Sequence, residues 1–210
     1  MCTTRRTRQA GLTMPEMIIF IVIISVALVG ILMVMNVTMK RSGDAQLRKQ
    51  ALSIAEALLE EVESARYTYC DGQDGNVGTS YHAQVQAGNP AYCAATIEGV
   101  GPEPGNTHPY DNVNDYVTAL GSQQAITLYD ANNVALTGLS GTYVPCITIT
   151  STTLAGMEND TYGNPAVGSA LLIRIDVYSG SGITCGSTSS STPVVTLEGY
   201  RTQYAPNVPP

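Results

Sequence analysis

Histidine is nearly missing from this chain and basic side chains are scarce: two histidines, and ten lysines and arginines, in 210 residues. Three of those ten, Arg5, Arg6 and Arg8, stand in the first eleven residues, so a net charge of −7 overall leaves −10 on everything that follows. A body that acidic repels phosphate backbones, which argues against nucleic acid as a partner. His82 and His108 lie in loop-like sequence with no phosphate loop, nucleophile elbow or zinc signature around either, so no catalytic residue, enzymatic activity or cofactor is expected. No cysteine has a second cysteine or a histidine two to four residues away, and no metal centre is expected from them.

Charge is absent altogether from residues 17–35, MIIFIVIISVALVGILMVM. As a helix rising 1.5 Å per residue this run is about 28 Å long, close to the hydrocarbon thickness of a bilayer. No A-x-A pattern follows it, only NVTMKRSGDAQ, which excludes an ordinary cleaved secretory signal. Cys2 precedes the apolar run, which excludes a lipoprotein signal. With three arginines before the run, the positive-inside rule places residues 1–11 in the cytoplasm and the chain after Arg41 across the membrane, in the periplasm of a Gram-negative cell.

A plain single-pass anchor accounts for that helix but not for Gly11-Leu12-Thr13-Met14-Pro15-Glu16 before it. A carboxylate at the membrane edge and a proline inside the run are both costly. Both fit if the chain is cut after Gly11. Leu12 then starts the helix, and Pro15 falls in the first turn, where a missing N–H costs nothing. Glu16 then sits beside a new α-amino group at the positive end of the helix dipole.

These residues resemble the type IV prepilin signal: basic leader, Gly11, apolar Leu12, Glu16 as fifth residue of the mature chain, then an apolar helix. The resemblance implies cleavage between Gly11 and Leu12 by a membrane prepilin peptidase, N-methylation of Leu12, and an assembly role for Glu16 opposite the amine of a neighbouring subunit. The sequence departs from the family in having Leu12 for the usual phenylalanine and Pro15 where an apolar, often β-branched residue is usual.

Beyond the membrane run, Leu47, Ala51, Ile54, Ala55, Leu58 and Val62 recur at helical steps and make one apolar stripe, with Glu56, Glu60, Glu61 and Glu63 mostly turned elsewhere. Ser42, Gly43 and Asp44 read as a break in the helix with a fresh N-cap. The strings LRKQALSIAEALLEEVE and VTLEGYRTQYAP resemble the MshD-type minor prepilins of the mannose-sensitive haemagglutinin (MSHA) pilus. That likeness implies an α+β, pilin-like fold: a long N-terminal helix whose first half spans the membrane, packed on a small antiparallel sheet. The expected organisation is a leader (1–11), a transmembrane half-helix (12–41), a periplasmic half-helix (42–67) and a globular head (68–210). Other pilins and the inner membrane are the implied partners, and the implied location is the inner membrane, then the filament. A minor pseudopilin of a type II secretion system and a tip adhesin for surface glycans are the competing expectations.

The head reads as loop from 68 to 142, with weak strand signals at 81–87 and 125–129, then three strands at 143–150, 170–178 and 193–203. Ile147 and Ile149, and Leu171, Ile173, Ile175 and Val177, alternate with Thr148, Leu172, Arg174, Asp176 and Tyr178, which predicts a sheet solvated on one face. Cys70, Cys93, Cys146 and Cys185 allow three disulfide pairings. Cys70 with Cys93 and Cys146 with Cys185 is the favoured set, since each closes a modest loop. Loop 71–76 carries Asp71, Asp74 and Asn76 as oxygen donors at a spacing that does not match an EF-hand, although related pseudopilins bind calcium in loops.

Overall fold

The computed structural model describes residues 11, 13–130, 132–136, 143–153, 170–186 and 192–203, apart from the side chains of 40–42. The architecture is α+β, and the chain divides after Leu47 into an N-terminal helical unit and a second unit that holds the sheet. A single helix, α1 (Met14–Ser64), runs through both. Its start is set by Thr13, whose carbonyl accepts from the amides of Glu16 (3.1 Å) and Met17 (3.2 Å). Sequence places the start at Leu12 of a cut chain, and Leu12 lies outside the described residues. Inside a helix a proline ring clashes with the carbonyl four residues earlier, so Pro15 belongs in the first turn, and the helix begins at Met14.

The expected break at Ser42, Gly43 and Asp44 does not occur, and all three are helical. One glycine costs about 1 kcal/mol against alanine, too little to stop a helix that continues with good formers on both sides.

In the second unit, Ala51, Ala55, Leu58 and Val62 are buried, as the stripe predicts, while Leu52, Glu56 and Glu60 are exposed. Glu61 and Glu63 correct the prediction. Both are half-buried, because a helix turn brings them beside the stripe and each meets the head. Gly199 shows how close the approach is: a Cβ there would collide with the Glu63 carboxylate and touch Leu59.

Two short strands, β1 (His82–Val85) and β2 (Tyr92–Cys93), pair in parallel, and a 3-10 helix follows at Val113–Tyr116. The main sheet has the order β3 (Gln124–Ala125), β4 (Tyr143–Thr152), β5 (Ala170–Ser179), β6 (Val195–Thr202), all antiparallel. Ile147, Ile149, Leu171, Ile173, Ile175 and Val177 are buried, so the period of two holds on the inner face.

The other face is not simply solvated. Cys146 lies opposite Asp176 in the register, and both are buried. The Asp176 carboxylate accepts from Arg174 Nε (3.0 Å), Thr196 Oγ1 (2.6 Å) and Gln123 Nε2 (2.9 Å). Gln123 in turn accepts from the Gly186 amide (3.1 Å), and Gly186 has φ +75° with the Gln123 carbonyl where a Cβ would stand, so only glycine fits. Arg174 and Glu198, 3.7 Å apart and about half exposed, add little. Thr196→Val is expected to lower unfolding free energy by about 1 to 2 kcal/mol, since it removes a hydroxyl donor from a buried carboxylate. Thr202→Val, exposed like Thr196 but opposite Ala170 instead of Asp176, is expected to stay within about 0.5 kcal/mol, and denaturant titration of the two variants checks the contrast.

Candidate functional site

Residues 17–23 are each more than half exposed although all are apolar. At about 100° per residue they cover the whole circumference, so this part of the helix is apolar on every side. Further along the helix two hydroxyls are satisfied internally, Ser25 Oγ donating to the Ile21 carbonyl (2.7 Å) and Thr38 Oγ1 to the Val34 carbonyl (2.8 Å). This one helix, near the N-terminus, is long and apolar enough to cross a membrane. Gly11 and Glu16 are exposed at its start, Glu16 in the first turn, where the helix dipole favours a negative charge.

The structure joins Cys70 to Cys93 (Cα–Cα 5.4 Å) and Cys146 to Cys185 (Cα–Cα 5.7 Å), an arrangement compatible with a domain in the periplasm. The first bridge forms a small core with Tyr69, against which Tyr81 and Ala83 pack. The second ties the outer face of β4 to the segment after β5.

Loop 71–76 is organised around Asp74, and not as a ligand set for a cation. Asp74 Oδ1 accepts from the amides of Asn76 (2.8 Å) and Ala94 (2.9 Å), and Oδ2 from those of Ala95 (2.8 Å) and Thr96 (2.9 Å). Burial by itself raises its pKa, but the four backbone donors outweigh burial and hold it at about 2.

A second group of acids lies where no site is legible in the sequence. Glu98, Glu103 and Asp115 each place a carboxylate oxygen within 4.8 Å of the others. Glu98 and Asp115 are buried, and Glu103 is half-buried. The amide of Glu98 bonds the Tyr69 carbonyl (3.0 Å), that of Gly101 the Asn114 carbonyl (3.0 Å), and that of Val113 the Arg66 carbonyl (2.9 Å), so backbone pairing brings the segments together. The Glu98 carboxyl is pushed up to about 9, chiefly by burial and then by the charges of Asp115 and Glu103, with the Asn112 side chain pulling the other way. Asp115 is raised to about 8 by burial first, then by Glu103 and Asp111. The visible signal is the oxygen-rich run from Asp111 to Asp115, which a loop reading takes as solvated.

His108 is held rather than free: Nε2 meets the Glu61 carboxylate, Nδ1 meets Asn133 Oδ1 (2.6 Å), and its ring stacks on Tyr129 at 3.7 Å. Tyr116 Oη also donates to Glu61 (3.0 Å). These contacts fix the 3-10 helix and its flanking loops to α1. His82 stacks on Tyr92 at 4.4 Å. Comparison with protein-family models finds no match, and comparisons with curated proteins and with solved structures find none.

Proposed function

We propose that this chain is a minor type IV prepilin of the MSHA type, a non-enzymatic subunit that is cut by prepilin peptidase and takes part in assembling or priming a pilus. One observation carries the reading: Gly11 stands five residues before Glu16, the acid in the first turn of a helix whose next stretch is apolar on every side. A plain anchor has no use for that acid, whereas a subunit that moves from bilayer to filament does. The partners are the peptidase, other major and minor pilins, and the inner membrane before assembly. The head lies in the periplasm until the subunit enters the filament, consistent with two disulfides and a sheet that needs no lipid contact.

Processing tests this reading. In a Gram-negative host with an active prepilin peptidase, N-terminal sequencing and intact mass of the membrane-extracted protein are expected to give methylated Leu12 as the first residue. A chain still beginning at Met1, while a control prepilin in the same cells is cut, rules the assignment out.

A further inference from the structure

Buried carboxylates that face one another must be neutralised by protons or by a counter-charge, and Glu98, Glu103 and Asp115 have converging oxygens without a basic side chain paired to Glu103 or Asp115 among the described residues. We propose that these three carboxylates form a binding site for a hard divalent cation of the calcium class. A second observation points to a ligand at the same place. Asp115 is 2% exposed, and its carboxylate, directed into the cluster, leaves Oδ1 with no hydrogen bond, while Oδ2 accepts from Asn106 Nδ2 (3.0 Å). Beside it Asn114 is fully buried with neither atom of its amide bonded. An orphaned carboxylate oxygen against two further carboxylates is an arrangement that a cation resolves and that water alone resolves poorly.

The donor chemistry selects the cation. All three ligands are oxygen, with no cysteine or histidine in the cluster, which disfavours zinc and copper. The ligands come from a loop and a one-turn 3-10 helix, irregular supports that suit the variable six-to-eight-oxygen shell of Ca²⁺ better than the strict octahedron of Mg²⁺. The site also has a structural consequence. Asp115 precedes Tyr116, which donates to Glu61 on α1, so a cation on Asp115 steadies the contact that fastens this loop region to the helix. The proposal does not depend on the prepilin reading, since it uses only residues of the head.

The test uses the full chain, purified in detergent with both disulfides formed and stripped with a chelator. Titration with CaCl₂ alone is expected to give saturable one-to-one binding by calorimetry and to raise the unfolding midpoint, with MgCl₂ at equal concentration giving less. Tb³⁺ is expected to give tyrosine-sensitised emission that Ca²⁺ removes, because Tyr116 adjoins a ligand. Glu103→Gln, at the half-buried ligand, is expected to weaken Ca²⁺ binding by about ten-fold or more while the protein stays folded in chelator. Glu98→Gln gives a second reading at a buried ligand. Absence of saturable Ca²⁺ binding up to about millimolar concentration in folded wild-type protein overturns the proposal. So does Ca²⁺ binding that both variants leave unaltered, and Mg²⁺ binding as tight as Ca²⁺ overturns the calcium-class assignment.

Discussion

If the chain is the minor prepilin proposed above, Glu16→Gln is expected to leave leader cleavage and head folding intact and to reduce recovery of the subunit in sheared filaments by about ten-fold or more. Glutamine keeps the shape and hydrogen-bonding capacity of the side chain and removes only the charge. Glu16 is exposed at the helix start, and in the membrane-resident monomer of the proposed function headgroups and water would reach it. In the proposed filament those routes close, and the α-amino group of a neighbouring subunit supplies the compensation. The variant leaves that amine without a counter-charge in an apolar setting. A charge at the bilayer centre costs about 2.5 to 3.5 kcal/mol, less near the edge, and even half of that is roughly a ten-fold change in an equilibrium. A difference in affinity between two states is what lets one contact shift their populations. Three measurements separate the roles: the cleaved fraction, protease resistance of the head, and the amount in sheared filaments. Equal filament recovery for variant and wild type, with cleavage intact in both, removes Glu16 from assembly.

The parts of this molecule legible in its sequence are those decided by local periodicity. The uncharged run of 17–35 needs only its neighbours to declare a helix, and Ile173, Ile175 and Val177 declare a strand by alternation alone. Contacts between distant segments left weaker traces. Asp176 sits at a polar position of its strand and reads as solvated, yet Gln123, far earlier in the chain, and Thr196 on the next strand bury it. Glu61 reads as part of the free face of a helix, and only the fold brings His108 and Tyr116 to it. The break expected at Gly43 failed for the opposite reason, since a local preference of about 1 kcal/mol lost to the cooperativity of the helix around it. The acids at 98, 103 and 115 are dispersed among glycine and proline, and nothing local distinguishes a buried carboxylate from a solvated one.

Asp74→Asn is expected to lower unfolding free energy at neutral pH by about 2 to 4 kcal/mol, a large effect for a loop residue. The wild-type carboxylate uses both oxygens, each accepting two backbone amides. Asparagine offers one oxygen and one NH₂, so in either orientation two amides face a donor instead of an acceptor. Those amides belong to the loop closed by the Cys70–Cys93 bridge and to the segment that follows it, so the loop is unfastened from residues 94–96 although the disulfide still holds it nearby. Asp71→Asn is the comparison, because its single bond from the Gln73 amide (2.6 Å) survives the substitution. The same carboxylate fixes a pH dependence. Its folded pKa, about 2, lies below the value near 3.9 of an unfolded aspartate. Its contribution is therefore fully present above the unfolded value and is lost as pH falls from about 4 through about 2, at most roughly 2 to 3 kcal/mol. The buried acids Glu98 and Asp115 titrate in a different range, so the difference between wild type and Asp74→Asn isolates Asp74. That difference, read from denaturant titrations at pH 7, 4, 3 and 2, is expected to be largest at pH 7 and to shrink across the acid range. A difference that stays constant down to pH 2 means that Asp74 is not held by its four amides as an anion.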